Sequence, residues 1–138
     1  MKKQLTLLTM LFLVIAGITA GCKKETGAAR PLKKKIEGKW QVTKIETSIG
    51  GVASAPYTGL PADYFEFRNN ENDQVEVEIN GLRTLGTYAT LANDDLNLSL
   101  SGKVFNCVVN TITDNSFEFT ATQQESNPKE VKKYYLRR

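Results

Sequence analysis

The feature that most limits the possible folds of this chain is a series of short segments in which apolar and polar residues alternate. Val75, Val77 and Ile79 alternate with polar residues, and the same spacing recurs along the chain. Alternation with a period of two places the apolar side chains on one face of a β-strand. No amphipathic helix of useful length competes with this pattern. The chain is therefore predicted to be all-β, with antiparallel strands covering one core.

Turn signals such as Asn93-Asp94-Asp95 and Ser101-Gly102 separate the segments, so that most strands lead directly into the next. Such hairpins indicate an up-and-down meander, and eight strands in this order close into a barrel without exposed edges. An open sandwich of two sheets is the competing fold. The predicted strands are approximately residues 39–47, 64–68, 75–79, 85–91, 96–100, 104–112, 117–122 and 131–137.

The first predicted strand contains the only tryptophan of the chain, in Gly38-Lys39-Trp40. Trp40 requires a large apolar environment and an acceptor for its indole N–H, and Gly38 allows the backbone to turn or to approach closely. Trp40 and Val42 share one face of the strand, whereas the next apolar residue, Ile45, falls on the other face. This change of phase predicts a bulge or bend near residues 43–44.

The pattern resembles that of lipocalins, in which Gly-x-Trp begins the first strand and the Trp closes one end of an eight-stranded barrel. The resemblance implies that a cation near the last strand packs across the indole. The expected barrel base comprises Gly38, Trp40, Lys133 and Arg137, with either of the last two supplying the cation. Residues 36–138 are also similar to small lipocalin-like lipoprotein domains of Bacteroidota, in Gly38-Lys39-Trp40, Phe65-Glu66-Phe67, Gly86-Thr87-Tyr88 and the strand with Leu96, Leu98 and Leu100.

Residues 48–61 form a segment that is too long and too rich in Gly and Pro for a tight hairpin. In lipocalins the loop after the first strand covers the open end of the barrel, so the resemblance implies a lid here. Ile49, Val52, Tyr57 and Leu60 could provide its apolar surface. The same residues suit a loop that plugs the end of a filled barrel, and the two interpretations remain open.

Residues 1–21 have the pattern of a secretory signal, with a basic start, a largely apolar run to Ile18 and small residues before Cys22. The apolar run is shorter than the roughly 20 residues of a membrane-spanning helix. The segment resembles the signal of bacterial lipoproteins, whose Cys becomes the lipidated first residue with acyl chains such as palmitate, although Thr19 replaces the usual Leu. We expect a signal peptide (1–21), a basic tether (22–35) and a barrel (36–138).

The formal net charge of +3 is unevenly distributed along the chain. Residues 23–35 contain six Lys or Arg and one Glu, whereas residues 36–138 contain ten Lys or Arg and fourteen Asp or Glu. The tether would contact anionic head groups or act as a solvated linker, and both interpretations remain open. The acidic barrel argues against nucleic-acid binding. We expect attachment to a cell-envelope membrane through Cys22, with the outer membrane favoured and its side left open.

The sequence contains no His, which excludes Ser-His-Asp and Cys-His catalysis and most zinc and iron sites. It also lacks a glycine-rich phosphate loop and a dinucleotide motif. Glu66, Glu76 and Glu78 could form a cation site or a glycosidase-like acid pair, but alternation favours a solvated outer face. Cys107 lies on an apolar strand face and is expected to be buried rather than reactive. We expect no enzymatic activity, no cofactor and no metal site.

The interior of an eight-stranded barrel is just wide enough to be filled by side chains or to hold one small ligand. We predict binding of a small apolar or amphipathic ligand in a small cavity beneath the 48–61 loop. Phe65, Phe67, Phe105 and Phe117 would line this site, with Tyr57 over its mouth. The alternative is a filled barrel that acts as a structural or protein-interaction module on the membrane surface, with its partner unknown.

Overall fold

The computed structural model describes residues 31–138, within which one short helix precedes ten β-strands. The helix, α1, spans Leu32–Ile36. No helix in this part of the chain is long and apolar enough to cross a membrane. The predicted signal peptide, the lipidation of Cys22 and the tether up to residue 30 lie outside the described residues. The strands are β1 (Gly38–Ile49), β2 (Val52–Ala53), β3 (Tyr57–Thr58), β4 (Tyr64–Phe67), β5 (Gln74–Ile79), β6 (Leu82–Thr90), β7 (Leu96–Leu100), β8 (Lys103–Ile112), β9 (Ser116–Gln123) and β10 (Glu130–Arg137).

The described residues form a closed antiparallel barrel of eight main strands, β1 and β4 to β10. Each strand from β4 to β9 pairs with the next one along the chain. β1 pairs with β4 on one side and with β10 on the other, which closes the cylinder. The predicted up-and-down barrel is confirmed, and the alternative of two open sheets is wrong. The reason is the chain of direct hairpins, which leaves β1 and β10 as neighbours whose backbone groups satisfy each other.

The first strand bends where the apolar pattern changes phase. The register between β1 and β10 shifts between Val42 and Lys44, which confirms the predicted bulge. The extra residue turns Ile45 back toward the interior, where it is buried. Because of this bend, β1 can remain paired with β10 over most of its length while following the curved wall.

The 48–61 segment forms part of the barrel wall and is not a lid. Its short strands β2 and β3 pair with the second half of β1, beyond the point where β4 pairs with the first half. Gly59 permits this arrangement, because a Cβ atom there would lie 1.9 Å from the carbonyl oxygen of Val42. The lid interpretation is therefore wrong, since backbone pairing with β1 holds the segment along the wall.

Trp40 seals the end of the barrel that α1 covers. Its side chain is fully buried, and its indole Nε1 donates a hydrogen bond of 2.7 Å to the carbonyl oxygen of Ile36. The guanidinium carbon of Arg138 lies 3.9 Å from the ring centroid, and Arg138 also donates a hydrogen bond to the carbonyl oxygen of Glu37. Gly38 has a φ of +101°, which L side chains rarely adopt.

The expectation that Lys133 or Arg137 supplies the cation over Trp40 is wrong. Lys133 lies 3.6 Å from a Glu118 carboxylate oxygen on the outer wall, and Arg137 is exposed. Side chains alternate along β10, and Leu136 faces the core, so the residue that continues on the inner side is Arg138. The cation over Trp40 therefore comes from Arg138, which points to the same side of the strand as Leu136.

Aromatic side chains fill the half of the interior next to Trp40. The Phe117 ring centroid lies 5.5 Å from that of Trp40, and Phe67 packs edge-on against Tyr88 at 5.2 Å. Such pairs contribute about 0.5–1.5 kcal/mol each beyond the burial of their surface. Every residue that alternation assigned to the interior lies in the core or packs against it.

We predict that Arg138→Gln lowers the free energy of unfolding by about 1–2 kcal/mol, because it removes a cation–π contact and a hydrogen bond to Glu37. Urea unfolding followed by circular dichroism measures this loss without relying on Trp40 fluorescence. Arg137→Gln and Lys133→Gln are the controls and should each change stability by less than about 0.5–1 kcal/mol. Equal effects of all three substitutions would contradict the assignment of Arg138 to the barrel base.

Candidate functional site

A cavity of about 380 Å³ opens at the end of the barrel opposite Trp40. It lies where β4, β5, β6, β7, β8 and β10 contribute residues from the half that is remote from α1. The cavity is lined by Phe65, Val77, Ile79, Leu82, Thr84, Leu100, Ser101, Lys103, Phe105, Lys132 and Tyr134.

Two of the predicted ligand-binding residues, Phe65 and Phe105, line the cavity. Phe65 is fully buried and packs edge-on against Phe119 and Tyr134, with ring centroids 5.7 and 5.1 Å away. It therefore forms part of the cavity floor. Phe105 lies higher on β8 and is only half-buried, so one face of its ring is available to a ligand.

Phe67 and Phe117, which were also predicted to contact a ligand, do not line the cavity. Both are buried below its floor, and their ring centroids lie 5.9 Å apart. The sequence places all four phenylalanines on inward faces, and height along the barrel distinguishes them. Because β4 pairs with the beginning of β1, Phe67 lies beside Gly38 at the base.

Tyr57 does not lie over the mouth as predicted, because β3 holds it against β1 opposite Ile45. Its hydroxyl donates a hydrogen bond of 2.6 Å to Oδ2 of Asp63, which also accepts one from the backbone N–H of Leu60. The other oxygen of Asp63 accepts from the N–H of Asn80, in the β5–β6 turn. Asp63 is fully buried and joins the wall segment to the neighbouring hairpin.

Three donors keep the buried Asp63 carboxylate ionised. Burial alone would raise the pKa of Asp63, but the hydrogen bonds from Tyr57, Leu60 and Asn80 lower it, and the net shift is downward. The hydrogen bond to Asp63 in turn raises the pKa of Tyr57. An Asp before a strand is the only sequence signal for this cluster, because its donors come from three separate segments.

The polar part of the cavity lining was not predicted. Lys103 follows the inward parity of Phe105, and Lys132 follows that of Tyr134. Thr84 and Ser101 add two hydroxyl groups to the lining. Strand parity could have identified both lysines, since a charged residue at an inward position interrupts the apolar pattern near the end of its strand.

Two of the predicted glutamates on the outer wall, Glu66 and Glu76, form an ion-pair cluster with Arg68 and Arg83. The Glu76 carboxylate accepts from Arg83 at 2.6 Å, from Arg68 at 2.9 Å and from the Tyr64 hydroxyl. Hydrogen bonds from Arg83 and Tyr64 lower the pKa of Glu76 to about 2. Glu76 lies on the outer face but is buried beneath these side chains, so the expectation of a solvated position is wrong for it.

This cluster does not have the properties of an acid pair or of a cation site. A general acid needs a raised pKa, whereas that of Glu76 is lowered, and two arginines already neutralise the carboxylates. Among residues 31–138, no group of three acidic or cysteine side chains is placed to hold a metal ion. Cys107 is buried, as expected, and burial raises its pKa to about 12.

A second depression, of about 350 Å³, lies beneath the 48–61 segment, where the notional lid cavity was expected. It is bounded by Ser54 and Pro56 of that segment and by Val131 and Lys133 of β10. Val131 and Lys133 have the outward parity of β10, so this depression lies on the outer wall. It is separate from the cavity at the open end, and none of the predicted phenylalanines borders it.

Comparison with known proteins agrees with the architecture. The model of a family described as a lipocalin-like domain matches residues 36–119, from the end of α1 into β9. The matched region includes Trp40 at the base and most strands that line the cavity. A search of curated proteins found no match.

We predict that Asp63→Asn lowers the free energy of unfolding at neutral pH by about 2–3 kcal/mol, because an amide cannot accept from all three donors. Tyr57→Phe removes one donor and should lower it by about 1 kcal/mol. Because the pKa of Asp63 is lowered on folding, its ionisation stabilises the protein fully above the ordinary Asp pKa of 3.8. The stability difference between the native protein and Asp63→Asn should therefore narrow as the pH falls below about 4. Chemical unfolding over this pH range measures it, and a difference independent of pH would contradict the argument.

Proposed function

The chain belongs to the lipocalin-like domain family, and from this premise we propose that its barrel binds a small apolar or amphipathic ligand in the cavity at the open end. The observation that carries the proposal is the contrast between the two halves of the interior. Aromatic rings fill the base around Trp40, whereas a cavity of about 380 Å³ remains between Phe65 and Phe105 at the other end. Ligand pockets in proteins commonly have volumes of about 300–1,000 Å³.

The lining favours a flexible apolar ligand. Most lining residues are aliphatic or aromatic, including Val77, Ile79, Leu82 and Leu100. At roughly 30 Å³ per water-sized group, the cavity holds about a dozen such groups. Each methylene group buried there contributes about 0.8 kcal/mol before the costs of binding. Leu82 is largely exposed without a ligand, so it offers apolar surface that binding would cover.

The proposed role is carriage or sequestration of the ligand and involves no catalysis. No hydrogen bond joins the Thr84 or Ser101 hydroxyl group of the lining to a basic side chain among residues 31–138, and the ionised Glu76 lies on the outer wall. We further propose that Cys22 is lipidated and anchors the barrel to a cell-envelope membrane, with residues 22–35 as its tether. This placement would give the cavity access to ligands that partition between membranes.

We predict that the protein from residue 23 onward binds a neutral solvatochromic dye saturably and that Thr84→Trp weakens this binding more than tenfold. Thr84 faces the cavity, and an indole at this position would project into the space that the dye would occupy. The matched control is Thr87→Trp, which places the same side chain on the same strand but on the outer face. It should bind the dye within about twofold of the native affinity, because it leaves the cavity unchanged.

Fluorescence titration with competition by unlabelled lipids provides the measurement, and circular dichroism checks that both variants fold. Equal losses in Thr84→Trp and Thr87→Trp would place the dye outside the cavity. Absence of saturable binding to the native protein would reject the ligand-binding proposal. In that case a barrel used as a structural or protein-interaction module becomes the better hypothesis.

We predict that cells expressing the full chain incorporate an alkynyl palmitate analogue into it and that Cys22→Ser abolishes this label. Cys107→Ser is the matched control and should retain the label, because Cys107 is buried in the barrel and its pKa is raised to about 12. Gel mobility after attachment of a fluorophore to the alkyne gives the measurement. Label that persists in Cys22→Ser would contradict lipidation at this residue.

A further inference from the structure

The mouth of the cavity carries two ammonium groups at positions where the strand pattern calls for apolar residues. Lys103 is the first residue of β8 on the face that continues with Phe105 and Cys107. Lys132 lies on the face of β10 that continues with Tyr134. Both side chains line the cavity, and no acidic side chain does so among the described residues.

The charges around the mouth leave a cation available for a ligand. The Nζ atom of Lys132 lies 2.6 Å from a carboxylate oxygen of Glu130, and the hydrogen bond from Lys132 lowers the pKa of Glu130. Lys103 is near enough to contribute to the same shift, yet no carboxylate within residues 31–138 lies within ion-pair distance of its Nζ. Lys103 therefore offers an ammonium group that has no ion-pair partner among residues 31–138.

Lys103 also marks the boundary between apolar and polar surroundings. Below it the lining is formed by Phe105 and other apolar side chains. On its other side is a third depression, of about 300 Å³, which is lined by Gln123, Gln124 and Glu125. Glu125 is exposed to solvent. Lysine stems pack along apolar surface while their ammonium groups remain in water. A ligand that follows the same boundary would have an apolar chain inside and a charged group at Lys103.

We propose that the ligand is an anionic amphiphile with a single aliphatic chain, such as a fatty carboxylate, whose head group binds Lys103 and Lys132 while its chain descends toward Phe65 and Tyr134. This inference rests on the proposed function, which supplies the cavity, and adds the charge of the ligand. An incoming carboxylate would accept hydrogen bonds from Lys103 and would share Lys132 with Glu130. Phe65 and Tyr134 form the end of the path, because the rings below them fill the barrel.

The test compares three ligands with the same chain and different head groups: decanoate, decanol and decyltrimethylammonium. Each is titrated against the neutral dye bound to the protein from residue 23 onward, which contains the whole closed barrel. We expect decanoate to bind about fivefold or more tightly than decanol, and decyltrimethylammonium to bind most weakly. Added salt should weaken decanoate binding and leave decanol binding unchanged.

Variants of the two lysines test whether the preference for decanoate over decanol arises at the mouth of the cavity. Lys103→Gln and Lys132→Gln should each weaken decanoate binding about fivefold and change decanol binding by less than about twofold. The controls are Lys133→Gln, the neighbour of Lys132 on the outer face, and Lys129→Gln, an exposed lysine at the same end of the barrel. Neither control should alter the ratio of decanoate to decanol affinity.

The outcomes separate this inference from the proposed function. Equal binding of decanoate and decanol to the native protein would overturn the inference and leave the proposed function in place. A parallel loss of both ligands in Lys103→Gln would also overturn it, because that result indicates a change in cavity shape. If none of the three ligands binds saturably, both the inference and the proposed function are overturned.

Discussion

The pairing of β10 with β1 is the constraint on which both ends of this molecule depend. It closes the barrel, and the same strand places Arg138 over Trp40 at the base and Lys132 and Tyr134 at the cavity. The register pairs Val42 with Leu136. A slip of one residue would turn every side chain of β10 to the opposite face. It would expose the apolar residues and remove both the base cation and part of the cavity wall.

Much of this fold could be predicted from strand parity alone. Alternation identified the inward faces, and the change of phase after Val42 located the bulge in β1. The cation at the base was missed because proximity to the last strand suggested Lys133 or Arg137. Parity excludes both of these residues, since Leu136 faces inward and its inward successor is Arg138. The local parity of β10, and not proximity to the last strand alone, determines which cation reaches Trp40.

The path of the 48–61 segment could not be predicted in the same way. Its strands β2 and β3 contain two residues each, which is too short for a detectable alternation. Its position depends on contacts between distant parts of the chain, namely the close approach of Gly59 to Val42 and the buried Asp63 carboxylate that binds Asn80. Local sequence specifies flexibility in such a segment but does not specify which surface it contacts.

The position of each phenylalanine along the barrel axis determines whether it can contact a ligand in the cavity. Phe65, Phe67, Phe105 and Phe117 share an inward orientation, and sequence alone does not rank them from base to mouth. The ring of Phe67 and the ring of Phe117 complete the packing around Trp40, so they stabilise the barrel and are unavailable to a ligand.

The division of the interior into a filled base and an open mouth also limits the size of the ligand that we propose. A protein of this size has little stability to spare, and the buried rings at the base supply apolar burial that does not depend on a ligand. The stability of the fold therefore does not depend on the residues at the mouth, where Leu82 is exposed and Lys103 is charged. The cavity ends at Phe65 and Tyr134. An aliphatic ligand chain longer than the depth of the cavity would therefore leave apolar atoms in water at the rim. In the proposed complex, chain length and head-group position are therefore coupled. The floor would limit how deep the chain descends, and Lys103 lies at the level where its polar end would emerge.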